Sequence, residues 1–316
     1  MHGLENIKKE NLQSRPRQFK KYDLNIWADY IELLCLRDGL VSAEDILDMW
    51  YEGDIDNDYK RGENQHLDSS VRLQGEIDDY FKLLKYRQAH CKSFYPFTIT
   101  DKNVLQLRSD LPEETSVYLY LLYCSSISLM NRSDGDYFSN DFEIFCSDVF
   151  GTLFSDNFVV ELFGPRNKGG KYHGVLADRI KQLGETIGLD SLVDNSSKYR
   201  SIPGGDSGLD ILSYYKIDAA ENVPFAFGQI TCNYSGWIDK QNSVLRDNWS
   251  NKLKNIVQYP AYMLIPFAYH NSLDHFSEPS DVKTFLIDRI RFIKLAQLNK
   301  AMCKTIVKHC TNVLNS

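Results

Sequence analysis

A chain of 316 residues can bury a substantial core in one or two domains. With 43% hydrophobic and 25% charged residues, it is neither a disordered nor a fibrous sequence. A formal net charge of -7 implies no bulk electrostatic attraction to nucleic acid and counts mildly against such a partner, which would need a local basic groove.

Residues 1–22 read as a loose, polar and basic arm with no apolar signal segment. Apolar positions Ile26, Tyr30, Leu33, Leu34 and Leu36 predict a helix from Asn25 that ends at Gly39. Ser42 followed by Asp45 opens a second helix carrying Ile46, Leu47 and Trp50. The acidic, polar run Gly53–Ser70 reads as a loop, and Ser70–His90 as a helix. Leu111–Met130 predicts a long helix, with Pro112 at its start and Glu113 and Glu114 in its first turn. Asn131–Gly135 reads as a break. A helix capped at Ser139 or Asn140 then runs to about Phe154, striped by Phe142, Phe145, Val149 and Leu153.

From there the pattern alternates. Phe158–Phe163 is β-like, Gly164–Gly170 a glycine-rich loop, and Val175–Ile187 a helix with Leu176, Ile180 and Leu183 on one face. Leu209–Tyr215, Phe225–Cys232 and Tyr262–Phe267 read as strands. Val244–Tyr259 reads as amphipathic, and Phe285 to about Val307 as a final helix. The expectation is an α/β fold: a mainly helical region over 1–130, then a central mixed sheet flanked by helices over 131–316, closed by the C-terminal helix.

The seven cysteines have no zinc-finger spacing, and Cys35, Cys124 and Cys146 sit among apolar residues like small buried hydrophobes. A reducing, cytoplasmic setting fits them. No apolar run approaches the ~18 residues of a membrane span.

The segment IPGGDSGLDIL, Ile202–Leu212, is the one stretch that asks for a chemical explanation. Its GDSG tetrapeptide also surrounds the reactive serine of trypsin-like proteases. Those are secreted all-β proteins, whereas this chain is helix-rich and has no disulfide framework, so Ser207 reads as a turn residue. Asp210 is different, because it opens an apolar strand, and a carboxylate there must be paired, solvated or metal-bound. Asp206 shares its face if the backbone is extended across Gly208. In the next strand-like run, Gln229 is the polar exception on the Phe225, Phe227, Thr231 face. Neighbouring strands bearing Asp210 and Gln229 can bring both oxygens to one hard cation.

Gly205-Asp-Ser-Gly-Leu-Asp210 followed by Phe227-Gly-Gln-Ile-Thr-Cys232 resembles the restriction-endonuclease-like, PD-(D/E)xK nuclease superfamily. With flanking elements the resemblance reaches from about 138 to 268. It implies a restriction-endonuclease-like core with a metal-binding aspartate at Asp210 and the Glu/Gln position at Gln229. It also implies a helical glutamate, for which Glu143 is the candidate, although an acid in a first helical turn also has a purely electrostatic reading. The lysine that should follow two residues after Gln229 is replaced by Thr231. Either the lysine has migrated to Lys240, in Trp237-Ile-Asp-Lys240, or the site is inactive and only the fold persists.

The activity implied is Mg²⁺- or Mn²⁺-dependent hydrolysis of DNA phosphodiester bonds. Asp210, Glu143 and Gln229 would be the ligands, Asp206 a second-rank ligand, and Lys240 would orient water. The resemblance implies cytoplasmic restriction or anti-phage defence on double-stranded DNA, beside a sensor, ATPase or methyltransferase partner, with a homodimer as a further expectation. The alternative is a catalytically inactive nuclease-fold scaffold in a defence complex. Basic candidates for the DNA backbone are Arg166, Lys168 and Lys171 in the glycine-rich loop, with Lys252 and Arg289 later in the chain.

Overall fold

The computed structural model describes residues 24–49, 63–164, 170–193, 207–218 and 220–315. Its first elements are α1 (Leu24–Asp38), β1 (Leu40–Ser42), a helical stretch over 43–49, α2 (Glu63–Cys91), β2 (Phe97–Ile99), β3 (Val104–Leu107) and α3 (Thr115–Ser125). Then come α4 (Arg132–Gly151), β4 (Val159–Leu162), α5 (Leu176–Ile187), β5 (Ile211–Tyr214) and β6 (Phe225–Ile230). The chain finishes through α6 (Trp237–Lys240), α7 (Arg246–Trp249), β7 (Ala261–Leu264), β8 (Phe285–Ile287), α8 (Arg289–Leu298) and α9 (Lys300–Asn315).

These elements form two compact units, each built from separated stretches of chain. The first takes its described residues from 24–135, 267–277 and 289–315, and the second from 136–266 and 278–288. The C-terminal helices therefore belong with the N-terminal region, not with the 131–316 stretch that the sequence suggested.

The first unit is helical around a small antiparallel sheet of order β1-β3-β2. Helix α1 is buried continuously from Asn25 to Leu36, which explains why two acids lie inside it. Asp29 accepts a two-pronged contact from Arg289, at 2.9 and 2.7 Å. Arg87 donates to Asp29 at 2.7 Å and to Glu32 at 2.9 Å. Tyr95 and Tyr118 hydroxyls donate to the other Glu32 oxygen at 2.8 and 2.7 Å. Two guanidinia thus face two carboxylates, the arrangement that buried charge requires.

The second unit is the α/β part, a five-stranded mixed sheet of order β4-β5-β6-β7-β8 with helices on both faces. Strands β4, β5 and β6 form an antiparallel meander, and β7 and β8 add parallel to β6. On one face, Leu176, Ile180, Leu183 and Ile187 of α5 pack with Leu212, Phe225, Phe227 and Trp249. On the other, α4 crosses close to the strands: Phe150 meets Tyr262 edge-to-face at 5.2 Å. Gly228 admits that approach, since a Cβ there would stand 2.6 Å from Ile211 Cγ2 and 3.6 Å from Phe150.

Several local expectations hold. The Ser42 hydroxyl accepts from Asp45 N–H at 3.0 Å while the Asp45 carboxylate accepts from Ser42 N–H at 2.8 Å, a reciprocal cap. Others change for identifiable reasons. Asn131–Gly135 is the start of α4 rather than a break, because Asn131 Oδ1 accepts from Asp134 N–H at 3.0 Å and caps the helix. Glu143 consequently lies mid-helix, where the dipole reading no longer applies. The helix read from Leu111 to Met130 is shorter, and β8 occupies the start of the stretch read as a final helix. Val244–Tyr259 is helical only over α7, with one 3-10 turn ending at Val244, yet Trp249, Leu253, Ile256 and Tyr259 are all in the core. Lys254 N–H bonds Asp190 O at 2.8 Å instead of a helical carbonyl. Among the described residues no helix is long and apolar enough to cross a membrane.

Candidate functional site

The turn before Asp210 has an unusual backbone. Ser207 and Gly208 both adopt left-handed conformations, with φ of 59° and 75°. A Cβ on Gly208 would lie 2.2 Å from Ser243 Cβ. Only glycine lets the turn sit that close. We expect Gly208→Ala to cost about 2–4 kcal/mol, combining roughly 1–3 for overpacking with about 1 for the left-handed backbone. Urea denaturation checks this, and a loss under about 0.5 kcal/mol would refute the contact's importance.

Past the turn, Asp210 extends the β5–β6 ladder by one residue, its N–H donating to Gly228 O at 3.1 Å. Register pairs Ile211 with Gly228, and the side chains of Asp210 and Gln229 meet just beyond that pair. Both are buried, at 8% and 5% exposure. Asp210 Oδ2 accepts from Ile230 N–H at 2.7 Å and from Gln229 Nε2. The same amide nitrogen donates to Ile230 O at 3.2 Å.

Thr231 continues β6, its N–H bonded to Leu264 O at 3.1 Å. Lys240 comes from α6, which is held by buried Trp237 at one end and buried Gln241 at the other. Gln241 donates to Asp281 O at 2.8 Å and accepts from Lys283 N–H at 2.9 Å. So anchored, the exposed Lys240 sends its ammonium back to the sheet and donates to Thr231 Oγ1 at 2.8 Å.

Glu143 is half-buried on α4. Its connection to Asp210 is electrostatic. Burial first, then Cys232, Glu143, Asp210 and Asp141 push the Cys146 thiol well above its ordinary pKa. Glu143 and Asp210 therefore both act on the neighbourhood of Cys146.

Asp206, Arg166 and Lys168 lie outside the described residues. Lys171 is exposed, bonded to Tyr214 OH at 3.0 Å and paired with Glu161 at 3.4 Å. Lys252 is only 2% exposed, donating to Asn248 O and stacking over Trp249 at 4.9 Å. Arg289 is fully buried against Asp29. Burial takes Lys252 and Arg289 away from any phosphate backbone and gives each a structural role.

Sequence reading passed over Ser243. Its hydroxyl lies 2.7 Å from Gly208 O, 2.9 Å from Gln229 Oε1 and 2.6 Å from Lys240 O, linking turn, strand and helix. Its only sequence signal is the three-residue spacing from Lys240. Among the described residues, no group of three or more His, Cys, Asp or Glu side chains is arranged to hold a metal ion. What converges is the Asp210 carboxylate, the Ile230 carbonyl and the Gln229 side-chain amide nitrogen that bridges them. The chain matches no family model, no curated protein and no solved structure.

Proposed function

We propose that the second unit is a metal-dependent nuclease acting on DNA, with Asp210, Gln229 and Lys240 as its working side chains. One observation carries the reading: the Lys240 ammonium meets Thr231 Oγ1 at 2.8 Å, the position where the restriction-endonuclease-like pattern keeps its lysine. The meander with Asp210 at the entrance of its second strand and Gln229 on its third supports the same resemblance.

The donor chemistry fits one hard cation. Mg²⁺ retains several waters and is often held by one or two carboxylates together with substrate phosphates, so a closed protein cage is not required. Asp210 would be the charged ligand, with Gln229 and the Ile230 carbonyl as neutral ones. When bound, such an ion lowers the pKa of a coordinated water and offsets charge on the phosphate. Lys240 supplies a fixed positive charge beside that corner, stabilising negative charge as it develops on the phosphoryl group. A role in restriction or anti-phage defence is part of the proposal. So is a sensor, ATPase or methyltransferase partner supplying recognition, since the net charge of -7 gives the chain little attraction of its own for DNA.

Donor count taken alone favours a second reading, a catalytically inactive scaffold, because no three ionisable ligands converge among the described residues. Plasmid DNA incubated with purified protein and Mg²⁺ or Mn²⁺ separates the two. The nuclease reading expects nicking or linearisation that falls about 100-fold in Lys240→Ala, with little change in melting temperature because Lys240 is exposed. Full cleavage by Lys240→Ala would remove the lysine from the mechanism. DNA left intact by the wild type with either metal would support the scaffold.

A further inference from the structure

Helices α3 and α9 of the first unit pack against each other, and a groove of about 450 Å³ opens beside the start of α3. One wall is the turn into α3, with Glu113 and Glu114. The other is α9, with Cys303, Lys304, Val307 and Lys308. Residues three and four apart on a helix share a face, so the two lysines belong to one wall. Hydrogen bonds tie the walls together. The Thr311 hydroxyl of α9 donates to Ser116 Oγ at 3.2 Å, and Ser116 Oγ donates to Glu113 O at 2.6 Å. The Thr115 hydroxyl and N–H both donate to Pro112 O, at 2.7 and 3.0 Å, which fixes the turn that carries the acids. Burial, and after it the Glu114 carboxylate, raises the Cys303 thiol above its ordinary pKa, so that carboxylate acts across the groove on α9.

Two carboxylates and two ammonium groups thus line one cavity, and among the described residues no ion pair joins them. An acid at a helix start suits the helix dipole by itself, but the dipole does not account for two lysines on the facing wall. Each wall repels a ligand of its own sign. An anion alone, drawn to Lys304 and Lys308, would face Glu113 and Glu114, and a cation alone would face the lysines. A molecule carrying both signs satisfies both walls. Buried Val307 and half-buried Cys303 offer its body an apolar strip. The volume lies within the range of small-molecule pockets, about 300–1,000 Å³. We propose that this groove binds a small zwitterion, of the class of free amino acids and short peptides, with its ammonium held by Glu113 and Glu114 and its carboxylate by Lys304 and Lys308. The site uses no residue of the Asp210 corner and does not depend on the nuclease reading.

The test is a ligand-observed NMR titration of the full chain with leucyl-alanine, a dipeptide with both charges and an apolar body. N-acetyl-leucyl-alanine lacks the ammonium and leucyl-alaninamide lacks the carboxylate, and each should bind roughly tenfold more weakly. The double variant Lys304→Gln, Lys308→Gln should weaken leucyl-alanine by roughly tenfold without weakening leucyl-alaninamide. Both lysines are exposed, so the fold should survive the exchange. Free leucine, titrated in parallel, identifies the source: binding at least as tight as the dipeptide points to amino acids, and tighter dipeptide binding to peptides. Equal loss of leucyl-alanine and leucyl-alaninamide in the double variant would overturn the pairing of lysines with carboxylate. Blocked forms that bind as well as the zwitterion, or no binding of either leucyl-alanine or leucine, would overturn the proposal.

Discussion

Asp210→Asn will lower plasmid cleavage about a thousandfold while leaving the protein folded. The substitution keeps the shape and an acceptor oxygen, so Ile230 N–H and the Gln229 amide still find a partner at the end of β5. It removes only the charge. In an oxygen corner where the other donors are neutral, that charge supplies most of the attraction for a hard cation. Cleavage kinetics with Mg²⁺, beside a circular-dichroism melt, measure both halves of the expectation. Cleavage within tenfold of wild type would show that the carboxylate is not a working ligand, and attention would pass to Glu143.

The second large effect concerns stability. Asp29→Ala should destabilise the first unit by about 3–5 kcal/mol, because it removes one of the two carboxylates that face Arg289 and Arg87. Urea titration measures it, and a loss below about 1 kcal/mol would mean that the network relaxes around the gap. Acid should mimic the substitution. Burial by itself would raise the Asp29 pKa, but the Arg289 and Arg87 charges, with hydrogen bonds from Arg289 and Ser125, carry it below the ordinary 3.8. A depressed folded pKa contributes stability above the unfolded value and loses it as pH falls through the folded value. The acid-sensitive window for this group therefore opens below 3.8, and Asp29→Ala should lack that component.

The mixed sheet was legible in the sequence because its strands are short apolar runs bounded by Gly, Pro and Asp, and β5, β6 and β7 fall where those runs do. Asp210 and Gln229 stood out for the same reason: each is a polar residue inside an apolar strand. The failures have local causes. Asn131–Gly135 contains the residues of a break, but the same residue types cap helices, and only the Asn131–Asp134 bond decides between the two roles. Leu253 and Ile256 keep helical spacing while reaching the core through turns, since burial constrains where a side chain ends and not the path taken there. Arg289 looked available for DNA because the only acid beside it in sequence is Asp288, whereas its partner Asp29 lies 260 residues away. Ser243 was silent because one serine in a polar turn has no pattern, and its three oxygen neighbours come from three different elements.

That separation of 260 residues between Asp29 and Arg289 also sets a schedule for synthesis. At about 5–20 residues per second, roughly 10–50 s pass between the emergence of the acid and that of its arginine partner. For that interval the nascent α1 carries two acids with Arg87 as their only guanidinium among the four groups of the network. The ion-pair network of the first unit therefore cannot be completed until the segment carrying Arg289 has been made.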